Sequence, residues 1–256
     1  MLTYRNAVLA LLVSAVVVGL LWHFAGVSPW WFGLPLACYI GVVSYGSARI
    51  SSSFFIATTG GGATQQRTFA LTFDDGPVPT TPQVLAILNK HGVKATFFCI
   101  GRRVAENPAM LKELDEAGHL IGNHSFSHHY LFDLFSTRRF GTELADTDAA
   151  IAAAIRKKPR LFRPPYGVTT PNLARAIKKA GHTCVGWTVR SMDTVVQDDA
   201  RLLRTMLEAL APGAVFLFHD SAAITVRILD AFITGAQERG FSVVPLDQLL
   251  GIQPYA

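Results

Sequence analysis

The sequence predicts an α/β fold in which a mostly parallel sheet, flanked by helices, nearly closes into a barrel, with an N-terminal hydrophobic hairpin ahead of it. Beyond Arg67 one phrase recurs: a polar helix end bearing Lys or Glu, then Gly, then an apolar run with β-branched or aromatic residues. It reads NKHGVKATFF, DEAGHLIGNH, KKAGHTCVGW and QERGFSVVPL. Gly92, Gly118, Gly181 and Gly240 suit the left-handed residue that ends a helix, so the next strand begins at once. Repeated helix-to-strand joints imply parallel strands connected by crossover helices. Half of the 256 residues are hydrophobic, enough to bury one large core.

In chain order, the first element is apolar. Ala7 to Trp22 carries no charge, and a second uncharged stretch runs from Trp30 to Tyr45. Both approach the ~20 residues that cross a bilayer. A cleaved signal peptide would account for the first stretch and leave the second unexplained. The expected organisation is a membrane anchor over residues 1–46, with segments at about 7–27 and 30–46, arranged as two spans or a re-entrant hairpin. Trp22, Trp30 and Trp31 lie where the segments meet, as amphipathic rings do at the headgroup level. Arg5 precedes the first segment and Arg49 follows the second, while the loop between them has neither Lys nor Arg. The positive-inside rule then puts both ends, and the domain that follows, on the cytoplasmic face. Residues 47–66, rich in Ser, Thr and Gly, read as a linker, with Phe54 and Phe55 placed to dip into the interface.

The catalytic domain is expected over residues 67–252. Strands are predicted at Thr68 to Phe73, Ala95 to Ile100, His119 to Gly122, Leu161 to Arg163, Thr183 to Val189, Ala214 to Phe218 and Phe241 to Val244. Between them fall helices at Pro82 to Lys90, Pro108 to Glu116, Thr142 to Lys157, Asn172 to Lys179, Ala200 to Leu210 and Val226 to Arg239. In such architectures reactive groups collect at the carboxyl ends of the strands.

Composition narrows the function classes. The net charge of +5 suits an anionic surface or acidic substrate, but the basic run at Arg156, Lys157, Lys158 and Arg160 lacks interleaved aromatics. Nucleic acid is therefore not an expected partner. Cys38, Cys99 and Cys184 are scattered and odd in number, which fits reduced thiols rather than a disulfide framework or zinc knuckle.

The chemistry-bearing residues follow the strands. ALTFDDGPVP ends an apolar run in two carboxylates, Asp74 and Asp75. Neighbouring strand residues face opposite sides, so the Gly-Pro turn must release the backbone if both are to reach one pocket; otherwise the pair closes a turn. GNHSFSHH sets His124 and His128 four apart, which on a helical turn would aim both imidazoles at one ion. His129 is offset from that face, and His91, His119 and His182 beside helix-ending glycines read as structural. In LFRPPYG, Arg163 precedes two prolines, and the fixed backbone lets Tyr166 present its amide to a developing oxyanion. His219 closes the apolar run AVFLFHD, and Asp193 lies beyond GWTVRSMDT. Singly each has a bland reading. Together they fall beyond the ends of different strands, and one carboxylate with two imidazoles is an ordinary ligand set for Zn²⁺ or a similar ion.

TFDDG, HSFSH, RPPYG and the LFH around His219 resemble, in order, four of the five motifs of the NodB-type polysaccharide deacetylases, carbohydrate esterase family four. The resemblance covers Arg67 to Leu250. It implies a distorted (β/α)7 barrel of the polysaccharide deacetylase type and metal-dependent hydrolysis of N-acetyl groups on amino sugars. By position, Asp74 resembles the general base, Asp75, His124 and His128 the metal ligands, and His219 the general acid. Arg163 would orient Asp74, and Asp193 would tune His219. Pro165, Tyr166, Leu217 and Trp187 would form the substrate site. The implied cofactor is a divalent ion, Zn²⁺ first, with Co²⁺, Ni²⁺ or Mn²⁺ as alternatives. The fourth motif departs: Arg190 and Thr194 stand where many members have Asp and Trp.

The expectation is an oligosaccharide or polysaccharide N-deacetylase, a hydrolase of carbon–nitrogen bonds, bound to lipid at the inner or plasma membrane of a bacterium. Its substrate would be an N-acetylated glycan or a lipid-linked saccharide. An O-acetyl esterase, a non-sugar amidase and a catalytically silent glycan-binding membrane protein are the alternatives.

Overall fold

The structure, a computed structural model, describes residues 3–256. Nine strands form one sheet: β1 (Thr58–Thr59), β2 (Thr68–Asp74), β3 (Thr96–Cys99), β4 (Leu120–Asn123), β5 (Leu161–Phe162), β6 (Thr183–Val185), β7 (Val189–Arg190), β8 (Ala214–His219) and β9 (Ser242–Val243). Their order is β1-β6-β5-β4-β3-β2-β8-β7, with β9 also paired to β2, and every pairing of named strands is parallel. The result is a curled half-barrel wrapped by helices.

Side-chain alternation gives the curl two kinds of core. Phe69, Leu71 and Phe73 of β2 join Phe97, Phe216 and Phe218 in a large cluster with the covering helices α3 (Thr81–Lys90), α4 (Gly101–Glu106), α5 (Pro108–Glu116), α6 (Thr137–Ile155), α8 (Asp199–Glu208) and α9 (Ala223–Glu238). The opposite face carries Ala70, Phe98, Leu161, Val185 and Val215, closed below by Leu246 of α10 (Leu246–Leu250). Thr72 and Asp74 share that inner face with Ala70 by the same period of two, as Leu217 and His219 share it with Val215. α7 (Pro171–Ala180) belongs to a third cluster with Phe132, Phe140 and Phe162.

The N-terminal apolar segments form a helical hairpin, and residues 1 and 2 lie outside the described residues. α1 (Tyr4–Ala25) begins where Thr3 Oγ1 accepts from Asn6 N–H at 3.3 Å, and it ends at Gly26 with φ 65°. It is long and apolar enough to cross a membrane. α2 (Gly33–Ala48) has 16 residues, because Pro29–Phe32 are drawn into a 3-10 turn. At 1.5 Å per residue it spans about 24 Å, short of the ~30 Å hydrocarbon core. The second expected segment packs against α1.

Two readings need correction. Residues 47–66 do not run free as a tether. Phe54 is buried, with Tyr4 N–H donating to its carbonyl at 3.0 Å, and β1 pairs with β6 at the sheet edge. Two-residue strands leave no alternation to read, and Gly60–Gly62 fit there because backbone approaches closely, with Trp187 N 3.0 Å from a Cβ built on Gly60. Likewise the single strand expected over Thr183 to Val189 is two. β6 pairs with β5 and β1, whereas β7 pairs with β8 at the far end of the sheet. Gly186 N–H turns to Thr59 O at 2.9 Å and Thr188 Oγ1 accepts from Val215 N–H at 2.8 Å, so residues 186–188 cross the open side of the barrel. Trp187 rides on that crossing.

Candidate active site

Asp74 ends β2 directly opposite His219, its register partner on β8. Next in the chain, Asp75 adopts φ 80°, and this left-handed step lets the second carboxylate turn toward the same mouth as the first. Gly76 is required beneath it: a Cβ there would meet Asp220 Oδ2 at 2.2 Å.

His124 follows β4. Its Nδ1 lies 2.8 Å from Arg163 O, and because a carbonyl only accepts, Nδ1 carries a proton and Nε2 is the nitrogen turned toward Asp75. His128 reaches the same point by a route the sequence did not suggest. Residues 124–128 are a loop rather than a helical turn, with Ser125 at φ 64° and His128 at φ 46°. Asn123 Oδ1 accepts from Ser125 N–H at 2.9 Å and Ser125 Oγ from His128 N–H at 3.1 Å. Glu143 of α6 closes it, accepting from Phe126 N–H at 2.9 Å, Ser127 N–H at 2.7 Å and Ser127 Oγ–H at 2.8 Å. Glu143→Ala would strand these donors. We expect about 2 kcal/mol lost in thermal melts and roughly tenfold weaker divalent-ion binding by titration calorimetry.

Asp75 Oδ1 lies 3.5 Å from His124 Nε2 and 3.4 Å from His128 Nε2, and ligand atoms of the three residues all fall within 4.8 Å of one another. This oxygen is buried without a hydrogen-bond partner among the described residues. An orphaned carboxylate oxygen facing two imidazole nitrogens fits a divalent cation. Burial alone would raise the Asp75 carboxyl, but His124, His128 and His219 outweigh it and hold it well below the ordinary carboxylate range. Burial, reinforced by the charge of His124, pushes His128 down to about 4, leaving it neutral as a ligand must be.

Behind Asp74 sits Arg163, fully buried. Its guanidinium donates to Asp74 Oδ1 at 2.8 Å, Thr72 Oγ1 at 2.7 Å, Gly186 O at 2.9 Å and Val185 O at 3.3 Å, and it lies 4.1 Å from the Phe98 ring centroid. A buried charge with four of its five N–H groups engaged tolerates its desolvation, and it fixes the carboxylate it holds. On the other flank, His219 Nδ1 lies 2.7 Å from Asp193 Oδ1, while Asp193 Oδ2 accepts from His219 N–H at 2.7 Å and Thr225 Oγ1–H at 2.5 Å. Burial would lower the His219 imidazole, yet the bond and charge of Asp193, with the charges of Asp74 and Asp75, raise it. Asp193 is held below its ordinary value by the same pairing, against its own burial.

Asp74, Asp75, His124, His128, Tyr166, Trp187, Leu217 and His219 line one cavity of about 160 Å³. Pro165 is the expected substrate residue that does not reach it: Pro165 is buried in the turn, and Pro164 lines the wall instead. Tyr166, at φ 60°, sets its ring 5.0 Å from that of His128, and its N–H meets no acceptor among the described residues. Trp187 packs over Gly167, where a Cβ would lie 2.3 Å from Cη2. A larger hollow, about 900 Å³, runs along α6 and α7 past Ala145, Ala149 and Ala176. It contains none of the cavity-lining residues named above, so size does not locate the chemistry. His119 serves structure, its Nδ1 accepting from Ala95 N–H at 3.0 Å, and the three cysteines are free.

Sequence reasoning missed Glu143, Asn123 and Asp220. Asp220, fully buried, accepts from Thr81 Oγ1–H at 2.5 Å beneath the Asp75–Gly76 turn, and burial pushes it up to about 7. Its one signal was its place directly after His219.

A curled parallel sheet that brings a two-His, one-Asp cluster, a buried carboxylate held by arginine and a paired imidazole to its carboxyl end defines a class of hydrolase. The sequence profile of the family Polysaccharide deacetylase matches residues 61–185. A chitooligosaccharide deacetylase of Bradyrhizobium sp. (strain ANU 289) is 35% identical over 211 residues, covering 77% of this chain and 96% of the relative. The chain belongs to the polysaccharide deacetylase family. Among solved structures, the peptidoglycan N-acetylglucosamine deacetylase Bc1960 superposes with a TM-score of 0.74 at 27% identity, covering 78% of this chain and 95% of its own. BA3943, a pseudoenzyme of carbohydrate esterase family 4 from Bacillus anthracis, gives 0.70 at 31% identity, covering 75% and 68%.

Proposed function

We propose that this chain is a metal-dependent hydrolase that removes N-acetyl groups from an amino-sugar-containing glycan or lipid-linked saccharide. The observation that carries it is the cluster of Asp75, His124 and His128, with Asp74 and His219 in register on its flanks. Asp75, His124 and His128 would hold a divalent cation, Zn²⁺ first, with Co²⁺, Ni²⁺ or Mn²⁺ as alternatives. Such an ion, when bound, polarises the acyl carbonyl and lowers the pKa of the attacking water.

The chain's own groups do the rest. Asp74, held and aimed by Arg163, takes the proton of the attacking water. The Tyr166 N–H donates to the developing oxyanion, and Leu217 with Trp187 encloses the acyl methyl. His219, kept protonated by Asp193, gives its proton to the departing amine. Acid and base sit on opposite flanks of the cluster, Asp74 held by Arg163 and His219 by Asp193, whose bond and charge raise the imidazole. BA3943 raises the silent reading as an alternative, but here Asp74 and His219 each sit in their pair.

Membrane attachment supports the lipid-linked end of the substrate range. Leu9, Leu12, Val16 and Leu20 are exposed along α1, a stripe that bilayer lipid would cover. The hairpin's base meets the catalytic loop: Thr169 N–H donates to Ser47 O at 3.1 Å and Ser47 Oγ–H to Thr169 O at 2.7 Å, three residues beyond Tyr166. Arg5 and Arg49 at that base, with no Lys or Arg at the tip, favour a domain on the cytoplasmic face. The test uses the full chain in lipid vesicles, metal-loaded or stripped with chelator, offered N-acetylglucosamine oligomers and extracted membrane glycolipids. Acetate and free amines should appear by mass spectrometry only with metal, vanish on chelation and return on adding Zn²⁺. Acetate release that is indifferent to chelation would remove the metal, and release from O-acetyl esters alone would make it an esterase.

A further inference from the structure

Arg190 is the sole Lys or Arg among the residues lining the catalytic cavity. Its direction follows from the sheet. Arg190 is the register partner of Leu217, and residues in register on neighbouring parallel strands project from the same face. Leu217 faces the cavity two residues before His219, so the guanidinium rises over the same opening. It lies 5.9 Å from the Trp187 ring centroid, an approach that restrains its swing, and it remains exposed to an incoming group.

No carboxylate pairs with it among the described residues. Asp74 is taken by Arg163, Asp193 by His219, and Asp75 faces the two imidazoles. Arg190 therefore presents an uncommitted planar fork at the mouth of the site, and that geometry matches a phosphate or a carboxylate. The neighbouring Thr194, also on the wall, offers a hydroxyl where a bulky aromatic would have closed the space.

Building on the deacetylase reading above, we propose that Arg190 recognises an anionic substituent, a phosphate ester or a carboxylate, carried by the amino sugar being deacetylated or by its neighbour. The substrate is then an acidic saccharide, and Arg190 sets that preference.

The test compares the metal-loaded full chain on three oligomers of equal length: neutral N-acetylglucosamine units, the same oligomer with a terminal phosphate ester, and one bearing an ether-linked carboxylate. The readout is the ratio of kcat/KM for an anionic probe to that for the neutral one. A charged hydrogen-bonding pair predicts a ratio of roughly tenfold or more, carried in KM and shrinking with added salt. Arg190→Gln should collapse the ratio toward one, Arg190→Lys should retain part of it, and Arg190→Glu should drive it below one. A preference confined to the phosphate ester identifies a sugar phosphate as the source of the anion, and one confined to the carboxylate identifies an acidic sugar ether. A wild-type ratio near one, or a ratio that Arg190→Gln and Arg190→Glu leave unmoved, overturns the proposal. In those cases acetate release from the neutral oligomer leaves the deacetylase reading standing, whereas no acetate from any probe defeats both.

Discussion

Asp74→Asn is expected to lower kcat/KM on an acetylated oligosaccharide by roughly 10²–10⁴-fold, the range a positioned proton acceptor supplies. The amide nearly reproduces the carboxylate's shape and keeps an oxygen for the 2.8 Å bond from Arg163, but it cannot take up a proton. It also leaves the fully buried guanidinium without a counter-charge. Removing one partner of a buried pair costs about 3–5 kcal/mol, so the variant should melt earlier, by less than that limit because Asn still accepts. Divalent-ion affinity separates the two effects. Asp74 Oδ2 stands 3.9 Å from His124 Nε2, outside the three-residue cluster, so calorimetric metal binding should survive while turnover does not. Turnover within a few-fold of wild type, at full metal occupancy, would transfer the base to another group.

How far the sequence anticipates this site depends on the range of each cause. Asp74 and His219 were legible because each closes an apolar run, and His124 because it lies just past one; a buried strand delivers the titratable residue at its end to the mouth of the sheet. Asp75 and His128 were legible as residues and not as geometry. Both occupy left-handed backbone, at φ 80° and 46°, which neither residue type announces. The four-residue spacing of the histidines suggested a helical turn, whereas the loop is set by Glu143, 15 positions beyond His128 and unremarkable on its own helix. Arg163 could be expected to meet a carboxylate, but its bonds to Gly186 O and Val185 O depend on the chain crossing the open side of the barrel. That crossing hid inside a run that reads as a single strand. The same cause concealed β1: pairing through two residues carries no periodicity, and Gly-rich composition suggests flexibility even where close backbone contact is what the glycines allow.

The second large effect concerns Asp193, and its sign can be worked out from the pair it forms. His219 must carry a proton to serve the departing amine, so kcat/KM should fall on the alkaline side as pH rises through the His219 pKa. Burial opposes the charged imidazole, and it is chiefly the bond and charge of Asp193 that raise it. Asp193→Asn removes the raising influence and leaves the burial, so the alkaline limb should move to lower pH. At neutral pH less of the enzyme then holds its acid, and the ring loses the acceptor that fixed Nδ1–H, which together predict a drop of roughly 10²-fold or more in rate. Asn retains an oxygen for the His219 N–H and the Thr225 hydroxyl, so the melting temperature should change far less than the rate. An alkaline limb that keeps its position in the variant would mean that another group protonates the amine, and Asp193 would then act only as a fixed acceptor for the backbone of β8.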